Sequence, residues 1–188
     1  PAVTSIAPYY NHPRYLDAWA ANTQDRLKDF NPDHILLSFH GLPERHVRNG
    51  DPTKSNCLKK DNCCDHYLEH NPACYKAHCH ATARGLIQRL GLQKEDYSMS
   101  FQSRLGKDPW LTPATDTTVE ALAKQGVKRL AILSPAFVAD CIETIEELGM
   151  QARDSFLENG GETLEVLPSL NSEDVWIDAF ADILKTYL

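Results

Sequence analysis

The sequence predicts an α/β domain, a mostly parallel sheet flanked by helices, and three observations carry that prediction. Short apolar runs alternate with longer stretches of helical periodicity, and turn-forming residues bound each run. Repeated strand–helix units of this kind favour parallel strands, because each crossover helix returns the chain to the same end of the sheet. A length of 188 residues with 42% hydrophobic content suffices for one good core, so one domain is expected.

The elements follow in order. Residues 2–7 read as a first strand, and residues 14–28 as a helix carrying Leu16, Trp19, Ala20, Thr23 and Leu27 at helical spacing. A second strand over residues 34–38 contains the apolar run Ile35-Leu36-Leu37, and a long polar segment occupies residues 44–74. The next helix spans residues 75–90 and stops at Gly91, a residue type that readily takes the left-handed conformation ending a helix. Residues 97–101 form a third strand. Thr117 with Glu120 three positions on has the form of a capping box, opening a helix that stops at Gly126. Residues 129–133 are the fourth strand, and the helix after it carries Ile142, Ile145, Leu148 and Phe156 before Asn159-Gly160-Gly161. Residues 163–167 are the fifth strand. Glu173 and Asp174 then open a final helix running to about Leu188, placed where the helix dipole favours acidic groups.

Composition narrows the function. A formal charge of −7 argues against nucleic acid as the main partner, since phosphate binding wants a basic stripe. No apolar run approaches the roughly 20 residues needed to span a bilayer, and no signal peptide pattern is present. The chain begins Pro1-Ala2-Val3 without an initiator methionine and reads as a piece of a longer protein.

The chemistry concentrates in two places. His40, in Ser38-Phe39-His40-Gly41-Leu42-Pro43, follows the apolar run of the second strand. Asp140 and Glu143, in Pro135-Ala136-Phe137-Val138-Ala139-Asp140-Cys141-Ile142-Glu143-Thr144, follow the fourth. In an open α/β sheet the strand carboxyl ends share one rim, and ligands bind in the crevice above it. An imidazole and a carboxylate distant in sequence thus face one pocket, a pairing suited to metal handling or proton transfer. A histidine at a strand end is, taken alone, equally often a loop residue satisfied by hydrogen bonds. Asp140, Glu143, Glu147 and Asp154 recur at helical steps and share one helix face. Such rows are usually solvated surface, but this one starts at the rim where the other candidates converge. Clustered carboxylates repel, which raises pKa values and attracts divalent cations. Trp110, in a Gly- and Pro-containing loop after Phe101-Gln102-Ser103-Arg104, is either a surface plug or a platform for a flat ligand.

Five of the six cysteines fall between Cys57 and Cys79, with Cys63, Cys64 and Cys74 between them and His66, His70, His78 and His80 interspersed. Three readings stand. Disulfides suit neither a cytosolic domain nor an adjacent Cys63-Cys64 pair; zinc is compatible with abundant Cys and His; and four thiolates satisfy a 2Fe–2S cluster.

Taken together, Ser38-Phe39-His40-Gly41-Leu42-Pro43, Phe101-Gln102-Ser103-Arg104 with Trp110-Leu111-Thr112-Pro113, and Pro135-Ala136-Phe137-Val138-Ala139-Asp140 with Ile142-Glu143-Thr144 resemble ferrochelatase in order and spacing. The likeness is to the C-terminal half of the family, from about Tyr9 onward, in the subgroup with an internal cysteine-rich insertion, here residues 50–80. The resemblance implies a Rossmann-like, chelatase-type fold, with residues 1–188 as the C-terminal domain of a two-domain enzyme whose N-terminal domain is absent. It implies a lyase that inserts Fe²⁺ into protoporphyrin IX or coproporphyrin to form haem, and a piece that is inactive alone. The implied partners are porphyrin, ferrous iron and the missing half, in the cytoplasm with peripheral membrane contact.

Carried over by position, His40 matches the active-site histidine and Glu143 the catalytic glutamate, both also bearing on iron. Glu147 and Asp140 extend the carboxylate row, and Trp110 and Phe137 line the porphyrin pocket. Position 141 is Cys where many members have His, a weaker donor and a soft metal ligand, or merely a tolerated substitution. Some members carry a 2Fe–2S cluster in such an insertion, for which the ligands here would be Cys57, Cys64, Cys74 and Cys79, with Cys63 as alternate. Two rivals are a related chelatase of cobalamin or sirohaem synthesis and a noncatalytic metal- or haem-binding module. Retention of both His40 and Glu143 weighs against the second.

Overall fold

Four parallel strands form a single sheet in the computed structural model, which describes residues 3, 5–59, 63–64 and 72–187. They are β1 (His34–His40), β2 (Tyr97–Gln102), β3 (Arg129–Leu133) and β4 (Thr163–Val166), in the order β2-β1-β3-β4. The helices are α1 (Pro13–Phe30), α2 (Glu44–Asn49), α3 (Tyr75–Leu90), α4 (Thr115–Lys124), α5 (Arg153–Glu158) and α6 (Asp174–Lys185), together with a π-helix at Glu143–Ala152. Every ladder is parallel, and His40 stands directly opposite Gln102. The α/β architecture expected from the alternating pattern is therefore present.

Period-two alternation explains why β1 and β3 are apolar almost throughout: both faces are covered. Ile35, Leu37 and Phe39 of β1 and Ala131 and Leu133 of β3 pack with Trp19 of α1, Leu86 of α3 and Trp176 of α6. Leu36, Leu130 and Ile132 point the other way and pack with Val119 of α4, Leu148 of the π-helix and Phe156 of α5. Central position in the order puts the carboxyl ends of β1 and β3 side by side, and the polar groups of interest lie there.

Helix ends follow their local chemistry. Pro13 occupies the first turn of α1, where its missing N–H costs nothing. Asn31 takes the left-handed conformation after α1, and Gly91 does so after α3.

The structure corrects four expectations. Residues 3 and 5–9 form no strand and pair with neither sheet edge, while residues 1, 2 and 4 lie outside the described residues. Their short apolar run joins no ladder; the Ala7 N–H donates to the Tyr187 hydroxyl, at 3.2 Å. Thr117 is not a cap either. Phe101 N–H donates to Pro113 O at 2.8 Å, which keeps the chain extended through Ala114, so α4 starts at Thr115. Thr117 Oγ1 donates back to Ala114 O, and Glu120 pairs with Lys124 within the helix. The polar segment after β1 contains α2, and the last helix ends at Lys185. Among the described residues no helix is long and apolar enough to cross a membrane.

Candidate active site

His40 is the last residue of β1, and its setting fixes its tautomer. Its Nδ1 lies 2.6 Å from Gly41 O, an acceptor, so Nδ1 carries a proton and the neutral form of the ring has its lone pair at Nε2. Gly41 N–H donates to Gln102 O at 2.7 Å, bending the chain away from the strand. Only glycine fits: a Cβ there would stand 2.7 Å from Gln102 O and 3.2 Å from Trp110 Cε3. The Phe137 ring lies beside the imidazole, centroids 6.0 Å apart and tilted by 56°. Trp110 is half-buried against Gly41, and its Nε1 donates to Leu105 O at 2.9 Å, closing the loop after β2. Tyr75, the first residue of α3, donates its hydroxyl to His40 O at 2.8 Å. Burial pushes the Tyr75 phenol well above its usual range, so it remains a donor.

Glu143 opens the π-helix, and a buried polar network ties that opening to the strands. Gln102 is the centre of the network. Its Nε2 donates to Glu143 O at 3.0 Å, and its Oε1 accepts from Ser38 Oγ at 2.8 Å. Ser38 in turn contacts Thr115 Oγ1 at 2.9 Å, and Thr115 contacts Ser100 Oγ at 2.8 Å. These four side chains are buried, and each satisfies the others' polar atoms. The Glu143 carboxyl is held below its usual range by the Cys141 thiol, then by its own backbone N–H and by the charge of His40. The Glu143 carboxylate and the His40 imidazole thus interact across one rim. Burial and the Glu143 carboxylate raise the Cys141 thiol, so it stays protonated as a donor to Glu143.

The acidic row is divided among different partners. Glu147 turns to Ser103, accepting from its N–H at 2.6 Å and its Oγ at 2.5 Å. That clasp holds Ser103 in the left-handed region at φ 69°, unusual for a residue with a side chain. Asp140 precedes the helix and is spent on the scaffold: it accepts from Asn171 Nδ2 at 2.7 Å, Ser169 N–H at 3.1 Å and Thr144 Oγ1 at 3.2 Å. Burial pushes its carboxyl up, but these donors outweigh burial and bring it below its usual range. Asp154 is exposed on α5. A cleft of about 390 Å³ lies between the π-helix, β2 and α4, lined by Ser103, Arg104, Asp116 and Glu147 among others; neither His40 nor Glu143 lines it. His40 and Glu143 are each half-buried.

The thiols group differently from the expectation. Cys57 Sγ lies 3.5 Å from Cys74 Sγ, Cys63 Sγ lies 3.6 Å from Cys64 Sγ, and Cys64 hydrogen-bonds Cys74. Hydrogen bonds from Cys64, with further help from Cys57 and the first backbone N–H groups of α3, bring Cys74 down to about 5. Burial and the bond to Cys74 take Cys57 up to about 12, and Cys64 is also raised. Asp51 cradles the segment, accepting from the N–H groups of Thr53, Asn56 and Cys57. Cys79 instead contacts the Tyr75 hydroxyl and lines an apolar pocket with Phe39 and Tyr15. The His78 ring donates to Pro72 O and stacks on Tyr10 at 3.7 Å, so it is engaged elsewhere. His66 and His70 lie outside the described residues. Among the described residues no three His, Cys, Asp or Glu side chains are arranged to hold a metal.

Sequence reasoning missed the roles of Gln102, Ser38, Thr115 and Tyr75. Gln102 stands inside Phe101-Gln102-Ser103-Arg104, and its place at a buried strand end is the available signal; nothing in the sequence points to the Tyr75–His40 bond.

Comparison with known proteins agrees with this geometry. A protein-family model described as Ferrochelatase matches residues 1–188. The ferrochelatase of Stutzerimonas stutzeri is 47% identical over 179 residues, 95% of this chain and 52% of that protein. Those of Ectopseudomonas mendocina and Azotobacter vinelandii are 48% and 45% identical, over 93% and 96% of this chain and 51% and 54% of theirs. The chain thus spans about half the length of the curated relatives it matches. A whole-chain family match, identity near one half, and a histidine and a carboxylate facing one sheet rim lead to one conclusion: the chain belongs to the ferrochelatase family.

Proposed function

We propose that the whole protein inserts Fe²⁺ into a porphyrin, protoporphyrin IX or coproporphyrin, and that this chain is its C-terminal half. The observation that carries the reading is the His40–Glu143 rim: an imidazole held through Nδ1 and, in electrostatic contact with it, a carboxyl kept below its usual range. Metallation breaks two pyrrole N–H bonds and forms iron–nitrogen bonds, releasing two protons, so the site needs a proton acceptor and a nearby negative charge. Imidazole nitrogen and carboxylate oxygen are also plausible donors to ferrous iron as it sheds water. Phe137 and Trp110 add flat apolar surface beside the rim. The other wall belongs to the missing half, so the isolated chain should metallate a porphyrin poorly or not at all. The test compares Fe²⁺ insertion into both porphyrins by full-length protein and by the 188-residue chain. A full rate from the chain alone contradicts the two-wall reading, and porphyrin binding without insertion by the full-length protein favours a noncatalytic module.

The reading extends to the thiol segment. Cys57, Cys64 and Cys74 with Cys63, in place of Cys79, would hold a 2Fe–2S cluster after moving into ligating positions that they do not occupy in this structure. Their mutual contacts and the readily ionised Cys74 suit thiolate ligation. Full-length protein expressed anaerobically with ample iron should be brown, with visible absorption lost in Cys74→Ser; colourless wild-type protein overturns the cluster. A cytoplasmic enzyme touching the membrane peripherally, where its apolar substrate partitions, completes the reading. Cell fractionation checks it.

A further inference from the structure

We infer that Tyr75 is a positioning residue for His40, and that it makes the geometry of the imidazole depend on how Cys74 is held. The inference rests on the reading of His40 as part of the metallation wall.

The argument turns on one peptide plane. The His40–Gly41 peptide is gripped at both ends: its N–H, from Gly41, donates to Gln102 O at 2.7 Å, and its C=O, from His40, accepts from Tyr75 Oη at 2.8 Å. A planar unit held at both poles cannot rotate without losing one of them. The next carbonyl, Gly41 O, is the acceptor for His40 Nδ1 at 2.6 Å. Turning the first plane shifts that acceptor through Gly41, and the acceptor holds the ring by its Nδ1–H. Gln102 holds one pole and also bonds the first residue of the π-helix, so its own position is secured by Ser38. Among the described residues, Tyr75 is the side chain that reaches the second pole from outside the sheet.

Tyr75 also connects to a different part of the molecule. It follows Cys74 with no residue between, and Cys74 is the cap of α3 and the acceptor for the Cys57 and Cys64 thiols. Any change in how that sulfur is bonded acts on the main chain that carries the phenol. The ring has little freedom of its own, being packed in the pocket with Phe39 and Cys79. The thiol segment is thereby tied to the active-site histidine through a single hydroxyl.

The test uses full-length protein with Tyr75→Phe, which keeps the ring and removes the bond. Three measurements are read together: the kcat and porphyrin KM for iron insertion, the thermal midpoint, and the ¹⁵N spectrum of the His40 ring at neutral pH. We expect kcat to fall about three- to tenfold, as for loss of one orienting hydrogen bond, with KM and midpoint little changed. The ring spectrum should change from a single Nδ1–H tautomer to a mixture. Cys74→Ser should move the ring spectrum in the same direction, and should do so less when Tyr75 is already Phe. An unchanged ring spectrum in Tyr75→Phe overturns the inference, as does a loss of activity that only follows a lowered midpoint. If wild-type protein inserts no iron, the metallation reading fails, and the ring spectra still decide whether Tyr75 positions His40.

Discussion

His40→Ala in the full-length protein is expected to slow iron insertion about 10²- to 10⁴-fold, the range for loss of a positioned acid–base group, while porphyrin still binds. The structure explains why the loss should fall on kcat. The imidazole is oriented through Gly41 O and flanked by the Phe137 ring, so its position is set before substrate arrives. Removing it takes away a proton acceptor and a donor to iron, but leaves Phe137, Trp110 and the polar network under the rim intact. Initial rates and porphyrin fluorescence quenching, measured on the same preparation, check both halves of the expectation. A fall in porphyrin affinity equal to the fall in rate would place His40 in substrate binding alone.

Phe156→Ala is expected to cost about 3–5 kcal/mol of stability, the usual range for deleting a buried phenylalanine ring. Phe156 is fully buried among Leu36, Leu148 and Ala152, and it anchors the end of the π-helix to the sheet. Its ring also meets Gly161 so closely that a Cβ there would stand 2.2 Å from a ring carbon, so the turn after α5 has been shaped around it. A cavity at this point loosens the helix that presents Glu143 and Glu147. With domains typically stable by only 5–15 kcal/mol, the variant should melt well below wild type, and a denaturant series on full-length protein measures it. A loss under about 1 kcal/mol would mean that the surrounding side chains collapse into the space.

What the sequence revealed, and what it hid, follows from the range of each interaction. The parallel sheet was readable because β1 and β3 are buried on both faces, which writes an uninterrupted apolar run into the chain. Helix α3 was readable at both ends, since its stop at Gly91 is a local matter of backbone conformation. The run before Tyr9 was misread because periodicity carries no information about whether a segment joins a sheet edge. The capping box at Thr117 failed for a similar reason: the tertiary bond from Phe101 to Pro113 decides where the chain turns. At the site, His40 and Glu143 were legible as residues following strands. The π-helix was not, because its apolar spacing also satisfies an α-helix, and so Glu147 and Asp140 were grouped with Glu143 although they bond Ser103 and Asn171. Gln102 and Tyr75 act through hydrogen bonds to backbone carbonyls of residues far away in the chain, which no single sequence displays.

The central claim is that His40 and Glu143 act together as one metallating rim. A double-mutant cycle on the full-length protein, with His40→Ala, Glu143→Gln and both, tests it through iron insertion at saturating porphyrin. Groups that act as a unit give strongly non-additive losses, so the double variant should be slower than the worse single variant by no more than a few-fold. Losses that multiply, or a Glu143→Gln enzyme as fast as wild type, would contradict the claim.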